Sequence, residues 1–239
     1  MTGKTNLVLI PGMLCDEAAW AFQVSHLGDI CSPFVTTGHW RENLTLCAQE
    51  VLKRAPASFA LVGYSLGGRV AQEIVKLSSE RVSALALLAT DYRGHLSSAS
   101  RKAEYERRDR MLASARTMGM DGLAREWVKE VLAPENLKNP GLVSAAVAMI
   151  ARQSADVLAR QLQAGMSRED RTAFLGEIRI PTLVCVGDHD ALRSVALHRD
   201  MAARISHSRF AVIEGAGHML TMERPEAATA ALRQWLSAS

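Results

Sequence analysis

Ser65 lies in the run Phe59-Ala60-Leu61-Val62-Gly63-Tyr64-Ser65-Leu66-Gly67-Gly68, with Gly63 and Gly67 on either side at G-x-S-x-G spacing. An apolar stretch of strand length leads into Gly63, and a helix-like stretch follows Gly67. A strand that turns at once into a helix pins the serine in a strained backbone conformation, and bulky residues two positions to either side would clash with it. The strain projects the hydroxyl beyond the carboxyl end of the sheet, and the helix N-terminus lies beneath any negative charge that forms there. A serine hydroxyl is a poor nucleophile unless a base takes its proton, and an imidazole base works best when a carboxylate fixes its tautomer. Asp190 and His218 each follow a predicted strand, so with Ser65 they gather at the carboxyl edge of a parallel sheet. Asp188 is a rival acid that also suits a turn cap or a solvent-facing position. His26, His39, His95, His189, His198 and His207 lack such context and read as surface or packed residues. Among them His95, which opens a long insertion, is the one placed to face a cleft.

The elements that must position these residues alternate. Leu7-Val8-Leu9-Ile10 is a continuous apolar run ended by Pro11-Gly12, as expected for a strand buried on both faces. Asp16 caps a predicted helix over 18–27, with Trp20 and Phe22 packing inward. A weak strand over 33–36 precedes a helix over Leu44–Arg54, which Pro56 stops. The elbow strand over 59–62, a helix over 67–77 and a buried strand over Val82–Leu88 follow. Such alternation implies a parallel sheet with helices on both faces. From 93 to 177 no strand is predicted, and helices over 100–118, 122–131, 142–150 and 154–164 are punctuated by Pro134 and Pro140. We read this as a helical insertion between two strands. Its 14 Lys/Arg against 11 Asp/Glu read as solvated surface, the default place for charge. Alternation resumes with a strand over 180–187, a helix over 196–205, a strand over 209–213 and a closing helix over Pro225–Leu236.

At 239 residues the chain suits a single α/β unit, which often runs to about 250 residues. Hydrophobic residues at 48% and charged residues at 22% argue against disorder. A net charge of +3 with no long Lys/Arg run argues against a nucleic-acid partner. Cys15, Cys31, Cys47 and Cys185 form no C-x-x-C pair, which removes support for a metal or thioredoxin-like site. Four free thiols point to a reducing compartment. Residues 1–6 lead into only four apolar residues before Pro11, too few for a signal-peptide core or a bilayer crossing. Aromatic content of 5% offers little for a membrane surface. The expectation is a cytoplasmic protein with no membrane partner.

Two further stretches carry a family resemblance. Pro181-Thr182-Leu183-Val184-Cys185-Val186-Gly187-Asp188-His189-Asp190 resembles the acid-bearing strand of the α/β-hydrolase superfamily, whose acid stands three positions after the glycine. Gly215-Ala216-Gly217-His218, followed by Glu223-Arg224-Pro225-Glu226, resembles its histidine loop. With the elbow they run in the order nucleophile, acid, base, as in that superfamily. The whole chain thus resembles a helical-cap member. The resemblance implies an α/β fold: a mostly parallel sheet of about six strands with helices on both faces, a core from 1–92 and 178–239, and a cap from 93–177. It implies Ser65, Asp190 and His218 as the catalytic residues, and the backbone N–H groups of Leu66 and Met13 as the oxyanion hole. Where the family usually has His-Gly in the oxyanion loop, this chain has Pro11-Gly12-Met13.

The implied activity is hydrolysis of a small carboxylic ester through an acyl-enzyme, with no cofactor and no metal. The 122–131 helix and the length of the insertion also resemble the cap of β-ketoadipate enol-lactone hydrolases. Other lactones and carbon–carbon bonds are cleaved by the same set of residues, and cofactor-free haloperoxidase activity is a side reaction of such a site. A ligand receptor without catalysis is the alternative from another class. Dehalogenase chemistry is disfavoured, since it places a carboxylate where Ser65 stands.

Overall fold

The computed structural model describes residues 4–95 and 97–238; residues 1–3 of the N-terminal stretch, Leu96 in the insertion and Ser239 lie outside the described residues. Six strands form one sheet: β1 (Thr5–Ile10), β2 (Cys31–Val35), β3 (Phe59–Tyr64), β4 (Val82–Leu88), β5 (Thr182–Gly187) and β6 (Ser208–Ile213). Their order is β2-β1-β3-β4-β5-β6 and every pairing is parallel. β3 sits between β1 and β4, with Val62 opposite both Leu9 and Ala86, so the elbow leaves from the middle of the sheet.

Helices α1 (Ala21–Leu27), α2 (Leu44–Arg54) and α3 (Leu66–Ser78) fall between the first four strands. The insertion after β4 carries α4 (Ser98–Thr117), α5 (Gly119–Val131), α6 (Pro140–Ala151), α7 (Ala155–Met166) and α8 (Thr172–Leu175), and among its described residues it holds no strand. α9 (Val195–Arg204), α10 (Leu220–Glu223) and α11 (Pro225–Leu236) complete the chain.

Because side chains alternate across a strand, each buried strand feeds two cores. Leu7, Leu9, Val62, Ala86 and Cys185 pack with α1, α11 and the cap helices α5 to α7. Val8, Ile10, Leu61, Leu85 and Val184 pack on the opposite face with α2, α3 and α9.

Local departures from the sequence reading have simple causes. The stretch read as one helix over 18–27 is a 3-10 turn over Glu17–Trp20 followed by α1, with Asp16 capping the turn at Ala18 N–H. Trp20 is buried, but Phe22 is not an inward residue: it is half-buried and its ring stacks on His26 at 3.8 Å. Positions 20, 23 and 27 share the inner face, which leaves 22 and 26 one turn apart on the outer one. β2 starts at Cys31, two residues earlier than read, and it tolerates Pro33 because it is an edge strand paired only with β1. α8 and α10 are four residues each, too short to show a helical period in sequence.

His39 is packed, lying fully buried with its ring 4.4 Å from Trp40. Neither ring nitrogen has a hydrogen-bond partner among the described residues. Burial, helped by the charges of Arg54 and Arg41, lowers its pKa to about 3. The unfolded chain takes up that proton near pH 6.5, roughly the ordinary histidine value. His39 therefore supports the fold fully above that pH and progressively less as pH falls toward 3. Urea unfolding at pH 7 and pH 5 should show a stability loss that is smaller in His39→Leu, by up to about 1.4 kcal/mol per pH unit. Parallel losses in the two proteins would show that the ring is not desolvated.

Candidate active site

The turn out of β3 holds Ser65 at φ +52° and ψ −116°, in the left-handed region that side chains avoid. The flanking glycines make this turn possible. A Cβ on Gly63 would lie 2.6 Å from Gly67 O, and one on Gly67 would lie 2.4 Å from Ile10 O. Ser65 N–H donates to Leu88 C=O at 2.9 Å, and Ser65 C=O accepts from Thr90 Oγ1 at 2.7 Å. Thr90 N–H in turn donates to His198 Nε2 at 3.0 Å. Since Nε2 accepts, Nδ1 carries the proton and donates to Ser194 C=O at 3.0 Å. Burial holds His198 down at about 4, which keeps it neutral and able to accept. The sequence leaves His198 open as a surface or packed residue; the structure packs it and links it to the elbow through Thr90.

Ser65, His218 and Asp190 come together. Ser65 Oγ is 2.8 Å from His218 Nε2, and His218 Nδ1 is 2.8 Å from Asp190 Oδ2. The other oxygen, Asp190 Oδ1, accepts from the N–H groups of Leu192 and Arg193 at 2.8 Å each. Burial pushes the Asp190 pKa up, but His218 and these two amides outweigh it and hold the carboxyl below its ordinary range. Asp188 does not reach the imidazole; it pairs with His189 Nδ1 at 2.7 Å. Tyr64 is buried beneath the site, with its ring 5.6 Å from that of His218 and edge-on to Trp20.

Met13 and Leu66 line the same cavity as Ser65. The loop that carries Met13 is tied to the cap region, because Leu14, at φ +61°, donates its N–H to Gln161 Oε1 on α7 at 3.0 Å. The loop that carries His218 is tied there too: His218 N–H donates to Val131 C=O at 2.8 Å. Buried Glu223 fastens the same junction. Its Oε2 accepts from Ala133 N–H and Asn136 Nδ2, both at 2.7 Å, and its Oε1 accepts from Met219 N–H at 3.0 Å. Glu223 enters the sequence reading only as part of the histidine-loop resemblance, and Gln161 not at all; docking of the cap region gives Gln161 its bond to Leu14 and Glu223 its bonds to Ala133 and Asn136.

Ser65 opens onto a cavity of about 110 Å³. Met111, Trp127, Val131, Ile150 and Leu162 supply apolar wall, while Arg69, Arg108, Arg168 and Arg193 bring charge beside Asp91 and Glu104; Arg107 also touches the cavity but is half exposed and paired with Glu130 at 2.9 Å. The cationic excess of the insertion is therefore not all solvated surface, since Arg108 and Arg168 belong to it and line the cavity with mostly buried side chains. His95 stands behind this wall, its Nδ1 3.1 Å from Arg168 Nη2, and burial followed by the Arg168 charge lowers its pKa. One signal for these arginines was present in sequence: Arg69 is a lone cation in the otherwise apolar start of the elbow helix.

All four cysteines are free and buried, and burial pushes Cys15, at the cavity wall, up to about 12. Among the described residues no group of three or more His, Cys, Asp or Glu side chains is placed to hold a metal ion, and no single helix is long and apolar enough to cross a membrane.

A family model described as the alpha/beta hydrolase family matches residues 7–232. A Mycobacterium tuberculosis protein provisionally named non-heme bromoperoxidase BpoC is 30% identical over 194 residues, covering 79% of this chain and 71% of that protein. A thermophilic esterase from Thermogutta terrifontis, solved with malate bound, superposes with a TM-score of 0.87 at 27% identity, over 99% of this chain and 91% of that one. The enol-lactonase of Burkholderia xenovorans shares the fold, with a TM-score of 0.84 at 21% identity, over 98% of this chain and 92% of that one.

Proposed function

Because the chain belongs to the alpha/beta hydrolase family, we propose that it is a serine hydrolase that cleaves a small-molecule carboxylic ester through an acyl-enzyme. The observation that carries this reading is the hydrogen-bonded relay from Ser65 Oγ through His218 to Asp190, with Ser65 and His218 lining the cavity. In the proposed mechanism His218 Nε2 takes the Ser65 proton as Oγ attacks the ester carbonyl. Asp190 holds the imidazole with Nδ1–H toward itself and stabilises the imidazolium that forms. The N–H groups of Met13 and Leu66 are assigned to the oxyanion. His218 then protonates the departing alcohol, and after that takes a proton from water, which attacks the acyl carbonyl and releases the acid. No cofactor or metal enters these steps.

In this reading residues 93–177 are the cap, and 1–92 with 178–239 are the catalytic core. The substrate is a small ester or lactone rather than nucleic acid or a membrane lipid, and the free thiols favour the cytoplasm.

The test is twofold. A fluorophosphonate should form one covalent adduct, on Ser65. On p-nitrophenyl esters, kcat/KM should peak at acetate to butyrate and fall at least tenfold by octanoate. The physical reason is size: the cavity beside Ser65 is about 110 Å³ and walled by Met111, Trp127, Val131, Ile150 and Leu162, so a lengthening acyl chain soon outgrows it. Absence of both labelling and turnover would overturn the reading.

A further inference from the structure

Four guanidinium groups crowd the cavity beside Ser65, and the acids there do not balance them. Arg69 stands four residues beyond Ser65 on α3, and Arg193 three residues beyond Asp190; Arg108 and Arg168 reach in from the cap region. The four are near enough to repel, since Arg168 and Arg193 each weaken protonation of both Arg69 and Arg108. Asp91 is already shared, at 3.2 Å from Arg93 and 3.6 Å from Arg69, which is itself 7% exposed. Glu104 is likewise shared by Arg108 and Arg168.

That leaves donors without acids. The Arg193 guanidinium bonds the Leu192 carbonyl at 2.7 Å and has no carboxylate partner among the described residues. Arg168 Nε is buried with no partner there, on a side chain only 11% exposed. Like charges held in a partly dry site repel more strongly than in bulk water, and solvent compensates them poorly. A ligand anion would relieve that repulsion and occupy the free donors. The planar fork of arginine matches a carboxylate in two parallel hydrogen bonds.

Resting on the serine-hydrolase reading above, we propose that the substrate is an ester or lactone bearing a second, free carboxylate, which Arg69 and Arg193 hold beside Ser65. Neutral esters of the same size then bind without filling the anion site. Charge-assisted hydrogen bonds of this kind are worth roughly 10- to 100-fold in preference.

The experiment compares kcat/KM for methyl hydrogen succinate with methyl butyrate, and for acetoxyacetate with ethyl acetate, so that the charge lies on the acyl side in one pair and on the alcohol side in the other. The expected result is at least a tenfold preference for the charged member of one pair. In Arg193→Gln that preference should fall about tenfold through KM, while the Arg193 N–H bond to Asp190 is retained because it is backbone. Arg69→Gln, checked by thermal melting because the residue is buried, should do the same. Turnover of neutral esters with no charge preference, or a preference that both variants keep, would overturn the carboxylate site and leave the hydrolase reading intact. Turnover of none would overturn the hydrolase reading, and the site then rests on calorimetry with succinate alone. Succinate binding that Arg193→Gln loses would support the site; no binding, or binding of inorganic phosphate but not succinate, would overturn it.

Discussion

Ser65→Ala should lower ester turnover by roughly 10⁴- to 10⁶-fold while the protein stays folded, a loss of the size seen when the serine of such a relay is removed. The fold should survive because the elbow is held by main-chain and neighbour contacts that alanine keeps. These are the bond from residue 65 N–H to Leu88 C=O, the bond from Thr90 Oγ1 to residue 65 C=O, and the close approach of Gly63 and Gly67 to the adjoining backbone. Alanine carries the same left-handed backbone cost as serine at φ +52°, so the strain term is nearly unchanged. Circular dichroism and melting temperature should therefore match the parent, and fluorophosphonate labelling should disappear. The variant Ser65→Ala/His218→Ala should be little worse than either single change, since the two act as one unit. A folded Ser65→Ala protein that retained near-parental turnover would sink the mechanism.

Glu223→Ala should be the most damaging change away from the relay, at roughly 3–5 kcal/mol of stability, because it strands three buried donors at once. A domain is stable by only about 5–15 kcal/mol in total, so the variant should unfold at markedly lower urea. Activity should fall as well. The 131–136 segment and the 218–223 loop are joined by Glu223 and by the bond from His218 N–H to Val131 C=O, so losing Glu223 frees the backbone that aims the imidazole. Glu223→Gln should land between parent and alanine. With the amide oxygen at the Oε2 position it still serves Ala133 and Asn136, but the amide nitrogen then faces Met219 N–H, donor against donor. A Glu223→Ala midpoint within about 0.5 kcal/mol of the parent would mean that these donors find other partners easily.

The sheet, the elbow and the order of Ser65, Asp190 and His218 were readable from the chain because each rests on short-range rules. Apolar runs of strand length mark β3 and β4, and glycines two positions either side of Ser65 mark a turn that admits no Cβ. The boundaries of α2, β4 and α11 follow from capping, periodicity and proline in the same local way. Phe22 shows where such rules fail: it is apolar and in a helix, yet it is only half-buried and stacks on exposed His26 one turn away.

What the tertiary structure alone decided are contacts between residues that no periodicity relates. Asp188 rivals Asp190 in sequence, where only the spacing to Gly187 separates them; the turn after β5 brings Asp190 Oδ2 to 2.8 Å from His218 Nδ1 and leaves Asp188 paired with His189. The arginines at 69, 108, 168 and 193 are scattered over more than half the chain, and apart from Arg69 in its apolar helix start each alone reads as a surface charge. They become one cluster because the cap helices dock above the sheet edge and turn charges inward that helical amphipathicity would leave in water. A sequence states the local preferences of neighbours along the backbone; the side chains that meet across a cavity are chosen by how its elements pack.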